Sequence, residues 1–196
     1  MDRWRARVIF WRSTCMLTMV GLLCLLQSEV VIAATRLRVV STNDRSFTTT
    51  VDVAFSAASS GRALSTAKIG DGVRVTASFT PDPGHAGKRA DLYTVIVDRG
   101  VYYYRDARGL FQPWSGRIPD LRPAAEGVLL AAGTPLAVYD GTFATPGSKL
   151  VFVGYLLQGS DFLVYTPVPA VLEVAEPEIS VSTRSYYGDH LETAVV

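Results

Sequence analysis

Apolar and polar residues alternate one by one along much of the chain after residue 35. Leu37 and Val39 are set between Arg36 and Arg38. The longest run, Phe47, Thr49, Val51, Val53 and Phe55, is interleaved with Thr48, Thr50, Asp52 and Ala54. A period of two turns one set of side chains to a core and the other to water, so these segments predict half-buried strands. Residues 57–62 (AASSGR) are loop chemistry. Gly70-Asp71-Gly72 then introduces Val73, Val75, Ala77 and Phe79. Pro81, Pro83 and Gly84 stop that strand, because proline has no N–H to give to a ladder.

Residues 92–97 (LYTVIV) are apolar on both faces, which predicts a central strand. Asp98-Arg99-Gly100 is a hairpin turn, with glycine to take a positive φ. Val101-Tyr102-Tyr103-Tyr104 returns from it. Residues 105–109 form a second turn leading to Leu110-Phe111 and Pro113-Trp114. Residues 128–132 fit a short helix or a strand equally. Residues 149–157 (KLVFVGYLL) and 162–166 (FLVYT) flank a hairpin loop at 158–161, and residues 170–174 read as a closing strand. Beyond Glu176-Pro177 the periodicity fades into a flexible polar tail, residues 176–196, with a strand at 179–183. The sum is seven to nine short strands and no long amphipathic helix. That predicts an all-β domain over residues 35–175, an antiparallel two-sheet β-sandwich, with a small β-barrel as the alternative.

The first 34 residues follow different rules. Arg3, Arg5, Arg7 and Arg12 precede an apolar run at 16–26, and Val31-Ile32-Ala33-Ala34 supplies small residues. This is the layout of a signal peptide cleaved after Ala33 or Ala34. The apolar run is eleven residues long before Gln27, Ser28 and Glu29 interrupt it. A membrane-spanning helix needs roughly 20 apolar residues. Cys24 follows Leu23, where lipid attachment wants a small residue, and an Arg-Arg pair is missing, which points to the general export route. The expected destination is the periplasm, the cell surface or the medium.

Export changes the charge count. The chain has 19 Lys and Arg against 18 Asp and Glu, and the leader carries four Arg, Asp2 and Glu29. The remaining 162 residues therefore hold 15 basic and 16 acidic side chains. Without a basic run, nucleic acid is a poor partner. Both cysteines, Cys15 and Cys24, fall in the leader. A mature chain without cysteine excludes disulfides, thiolate zinc sites and a cysteine nucleophile.

The stretch from about Gly70 to Val174 resembles the immunoglobulin-like and fibronectin type III-like modules of exported bacterial proteins. The resemblance is carried by Ala90-Asp91-Leu92-Tyr93, by the Asp98-Arg99-Gly100 hairpin and by Thr145-Pro146-Gly147 leading into Leu150 to Tyr155. Val164-Tyr165 completes it. It departs from those modules at Ser148-Lys149-Leu150, where a corner tyrosine usually follows the Pro-Gly turn, and in lacking the antibody cysteine pair. The resemblance implies a fold; such modules serve adhesion, spacing and ligand binding alike.

Candidate chemistry is sparse. His85 lies in the loop Pro83-Gly84-His85-Ala86-Gly87 and His190 in the tail, and a Gly-x-Ser-x-Gly elbow is missing, so exposed loop histidines are expected rather than a triad. Asp98, Asp106, Asp140 and Asp161 sit beside glycine, arginine or other turn residues, where aspartate bonds its own backbone. Asp71 and Asp140 lack the companions a calcium site needs. No catalytic residue, metal or cofactor is therefore expected. The aromatic cluster is the best candidate. Tyr102 and Tyr104 share one strand face, and Phe111 and Trp114, the one tryptophan outside the leader, follow the next turn. Turned to water, Tyr102, Tyr104 and Trp114 would make a stacking platform for a protein or glycan partner. The expected function is a non-catalytic binding or assembly module of the bacterial cell envelope; a structural spacer and a hydrolase using loop carboxylates are the alternatives.

Overall fold

A computed structural model describes residues 34–43, 45–177, 181–186 and 190–195. The leader expected at residues 1–34 lies outside them except for Ala34. The described residues belong to one compact unit, Ile32–Val196. Their strands, in chain order, are β1 (Ala34–Ser41), β2 (Ser46–Ala57), β3 (Thr66–Lys68), β4 (Gly72–Thr80), β5 (Arg89–Asp98), β6 (Val101–Arg105) and β7 (Phe111–Pro113). There follow β8 (Ala125–Leu129), β9 (Thr134–Thr142), β10 (Gly147–Leu157), β11 (Leu163–Tyr165), β12 (Ala170–Ala175), β13 (Val181–Tyr186) and β14 (His190–Val195). Among the described residues the one helical element is a 3-10 turn at Ile118–Asp120.

The chain is all-β. Twelve strands join one hydrogen-bonded sheet in the order β7-β6-β5-β10-β11-β1-β2-β4-β9. β10 shares one edge between β12 and β11, and β5 shares its far edge between β6 and β8. All these pairings are antiparallel; β3, which pairs β12 in parallel, is the exception. β13 and β14 form a separate antiparallel ladder, from Val181 opposite Val195 to Tyr186 opposite His190; residues 181–183 of the strand expected at 179–183 lie in β13, and residues 179 and 180 lie outside the described residues.

The sheet curls over a single core. Inward positions at period two are filled by Val51, Val53 and Phe55 of β2, Val73, Val75 and Phe79 of β4, and Val151, Val153 and Tyr155 of β10. Each such fully buried aliphatic side chain stabilises the fold by about 1.5–3 kcal/mol. Strands far apart in the sheet meet across this core: the Tyr155 ring stands edge-on to Phe79 at 6.0 Å. The strands at the two ends of the order also approach, through the rings of Phe111 on β7 and Tyr139 on β9, 5.6 Å apart. No ladder joins those two strands, so the sheet is not closed by hydrogen bonds.

Most sequence-predicted strands form where the alternation places them; of residues 128–132, left between helix and strand, Val128 and Leu129 end β8 and residues 130–132 belong to neither. The alternation did not announce β3, β14 or, with the largest consequence for the sheet, β9. Pro135, Asp140 and Gly141 disguise it as loop, yet it pairs β4 from Gly72 opposite Thr142 to Phe79 opposite Thr134. Asp140 is therefore a strand residue, not a turn acid; its carboxylate takes a hydrogen bond from Arg74 Nε at 3.0 Å.

Candidate functional site

The outer face of β5, β6, β10 and β11 holds the candidate site, and strand parity builds it. On β10 the core takes Val151, Val153, Tyr155 and Leu157, so Phe152, Gly154 and Leu156 point the other way. Register sets Phe152 beside Val95, Gly154 between Tyr93 and Tyr165, and Val97 beside Tyr102. Val95 and Val97 are nonetheless buried on this outer face, because aromatic side chains stand over it. Trp114 continues the ladder past β7, its backbone N–H donating to Tyr102 O at 2.8 Å. Its indole meets the Tyr102 ring edge-on at 6.1 Å, and its Nε1–H donates to Arg117 O at 2.9 Å.

Between these rings is a hollow of about 210 Å³, walled by Tyr93, Tyr102, Trp114, Phe152 and Tyr165, with Gly154 in its floor. The glycine is required there: a Cβ at position 154 would come within 2.6 Å of Val164 O and 3.0 Å of Tyr165 Cβ. No charged side chain lines the hollow. A second hollow of about 300 Å³ shares Tyr93, Leu121 and Leu163 with the first, and adds Ile118 and Pro119 of the 3-10 turn and Asp161. Burial, and then the nearby charges of Asp91 and Glu126, raise the Tyr93 pKa above the usual phenol value; Arg122 opposes them.

The four aromatic residues singled out in the sequence divide between two faces. Tyr102, 46% exposed, and Trp114 line the first hollow. Tyr104 lies on the same face opposite Val95 and is half-buried. Phe111 points to the opposite side, packs against the core and meets Tyr139, so it takes no part in a platform with the other three. The platform is also not flat. Tyr93, Phe152, Gly154 and Tyr165 complete a groove: parity puts Phe152 and Gly154 on one face of β10, and the register brings Tyr93 and Tyr165 to them.

Two buried polar clusters also escaped the sequence reading. His85 is not an exposed loop histidine: it is 6% exposed. Its Nδ1 lies 2.7 Å from the Tyr155 hydroxyl, which lies 2.9 Å from Thr49 Oγ1, which accepts the Asp82 backbone N–H at 2.8 Å. The hydrogen bonds run in one direction when Thr49 donates to Tyr155 and Tyr155 donates to an unprotonated Nδ1. Burial lowers the His85 pKa, with Lys88 adding to the effect and Asp82 opposing it, and burial pushes Tyr155 up to about 12. Phe47 closes the other side of the imidazole, ring centroids 4.5 Å apart.

The second cluster joins facing core-side positions of β5 and β10. Lys149 is fully buried, and its Nζ donates to Asp98 Oδ1 at 2.5 Å and to Thr145 Oγ1 at 2.9 Å. Thr145 in turn donates to Asp98 Oδ2 at 2.8 Å. Burial would raise the Asp98 pKa, but the bonds from Lys149 and Thr145 and the adjacent positive charge outweigh it and hold the carboxyl below its usual range. Asp98 thus ties two strands together instead of serving its own turn. Asp106 does serve its turn, accepting the backbone N–H groups of Arg108 and Leu110. The His190 side chain lies outside the described residues. Among the described residues no group of three or more His, Cys, Asp or Glu is gathered as metal ligands would be.

No family model, curated protein or solved structure matches the chain.

Proposed function

We propose that the protein is an exported, non-catalytic binding or assembly module of the bacterial cell envelope. In this reading residues 1–34 direct the chain to the periplasm, cell surface or medium. Cleavage after Ala33 leaves β1 whole; cleavage after Ala34 removes its first residue, which pairs with Ala54. The curled sheet is then a variant of the immunoglobulin-like or fibronectin type III-like two-sheet sandwich.

The observation that carries the reading is the apolar groove at Tyr102 and Trp114. Aromatic rings that stay accessible beside a preformed hollow are where binding energy concentrates in protein interfaces. A protein partner fits better than a glycan. Sugar hydroxyls need carboxylates, amides or guanidinium groups to pair with, and the first hollow has none among its walls.

The test has two parts. Fractionation of cells with N-terminal mass analysis of the product reads out export and cleavage; intact chain retained in the cytoplasm contradicts the address. Capture from envelope extract and medium is then compared between the wild type and Trp114→Ala, with a glycan array beside it. Saturable capture lost in the variant supports the binding module. Folded protein that captures nothing, or captures equally without Trp114, returns the spacer reading to first place.

A further inference from the structure

We infer that residues 83–86 are a pH-operated latch: a neutral His85 imidazole holds them against the core, and its protonation releases them while the surrounding strands stay folded. The latch uses no residue of the aromatic groove and does not depend on what that groove binds.

The connection between β4 and β5 is attached to the core by one side chain. Of residues 81–88, His85 alone is buried; the others are half-exposed or exposed. An apolar side chain would anchor such a loop at every pH. Here the anchor is the residue type whose ordinary pKa lies where neutral solutions turn mildly acidic. Gly87, at a φ of 77°, makes the sharp turn that leads the chain back toward β5.

Both ends of the segment are fastened without the imidazole. At one end the Asp82 carboxylate accepts the hydroxyl and the backbone N–H of Thr48, at 2.8 and 3.1 Å. Those bonds, with that from the Gly84 N–H, hold its pKa below the usual carboxylate range, so it stays ionised while a histidine titrates. At the other end Gly87 N–H donates to Leu130 O, and Leu130 N–H donates to Lys88 O, each at 2.9 Å. Between these points the segment is held by the ring and by the His85 and Ala86 N–H groups, which donate to Asp82 O at 2.8 and 3.0 Å.

The surroundings of the ring suit its neutral form. β2 presents Phe47 and Thr49, and β10 presents Tyr155, whose phenol is neutral below about 12. The charged groups acting on the ring, Asp82 and Lys88, belong to its own loop and oppose each other. In the neutral state Nδ1 accepts from Tyr155, and Thr49 donates to Tyr155 while accepting the Asp82 N–H. A proton on Nδ1 makes it a donor, so Tyr155 must turn its own hydrogen toward Thr49. The Thr49 hydroxyl hydrogen then loses its acceptor. A buried charge and an orphaned donor arise together, and moving one short loop into water relieves both. Such local opening needs far less than global unfolding, because the strands keep their ladders.

The test is residue-resolved NMR on the isotope-labelled chain, titrated from about pH 7.5 to 5. The chain has two histidines, and His190→Gln assigns their ring signals. Amide protection, corrected for the intrinsic pH dependence of exchange, is expected to be lost at His85 and Ala86 with the midpoint at which the His85 ring titrates. The amides of β2, β4 and β10 are expected to keep theirs. Protection at His85 and Ala86 that survives to pH 5, or a loss shared equally by the strands, overturns the latch. In His85→Gln, which stays neutral, protection of these amides should not vary with pH, whatever its level. A loss that persists there with the wild-type midpoint assigns the titration to another group and also overturns it.

Discussion

Lys149 Nζ lies 2.5 Å from Asp98 Oδ1, and the lysine side chain is wholly removed from solvent. The two residues face each other across the central β5–β10 ladder. The Phe143 ring lies 5.5 Å from the ammonium, stacked in turn on Tyr139 at 4.4 Å, and Tyr139 touches Phe111. The place where the two sheet ends approach is therefore organised around one buried ion pair.

Removing one partner should cost more than removing the charge. Asp98→Ala leaves an uncompensated buried ammonium and is expected to destabilise by about 3 kcal/mol, the lower end of the range for broken buried pairs because Asp98 is partly exposed. Lys149→Met should cost less, since it removes the buried charge at similar volume. Urea unfolding midpoints check the order. The folded Asp98 pKa is depressed, so its contribution is present above the ordinary carboxylate pKa and lost as pH falls through the folded value. Asp98→Asn should flatten the stability curve below about pH 4.

His85 sets a second pH limit. Its folded pKa is lowered, so the stability it supports is complete above the ordinary histidine value of about 6.5 and declines as pH falls below it. His85→Gln should weaken that decline in thermal melts between pH 7.5 and 5. Tyr155 acts at the other extreme: its pKa is raised to about 12, so stability is lost as pH rises above about 10. Tyr155→Phe removes that alkaline limb, yet lowers stability at neutral pH by about 1–3 kcal/mol by leaving Thr49 and His85 without their shared partner. Absorbance titration of the phenols, wild type against variant, identifies the late-ionising group.

Gly154→Ala tests how the groove floor is made. Its new methyl would meet Val164 O and Tyr165 across the β10–β11 ladder. A loss of about 1–3 kcal/mol is expected from this crowding. An unchanged unfolding midpoint contradicts the close approach.

Phe111 and Trp114, three residues apart, should behave oppositely. Phe111→Ala is expected to cost about 1–3 kcal/mol of stability, for a half-buried ring packed on the core, and to leave affinity alone. Trp114→Ala should lose at least about tenfold in affinity and little in stability. Urea midpoints paired with capture from envelope extract measure both.

The strands with clean alternation, β2, β4 and β10, were legible in the sequence because period two and burial agree in them. β9 was not, since Pro135, Asp140 and Gly141 are turn residues whose role as strand depends on pairing with β4. The curling of the sheet was beyond reach for the same reason: pairing partners are long-range. Half of the groove, Tyr102 and Trp114, was visible from neighbouring aromatics. Tyr93, Gly154 and Tyr165 come from three strands whose adjacency only the register reveals. Lys149 had a local signal, a charge at a core parity position opposite Asp98, whereas nothing local announces that His85 reaches Tyr155.

The most direct measurement follows the emission of Trp114 in the Trp4→Phe/Trp11→Phe chain, where it is the single tryptophan, while the component captured from envelope extract is added. A saturable shift of the emission, weaker in Tyr102→Ala, is the expected result. Binding by anisotropy with no change at Trp114 would place the partner elsewhere on the molecule and contradict the groove as the binding surface.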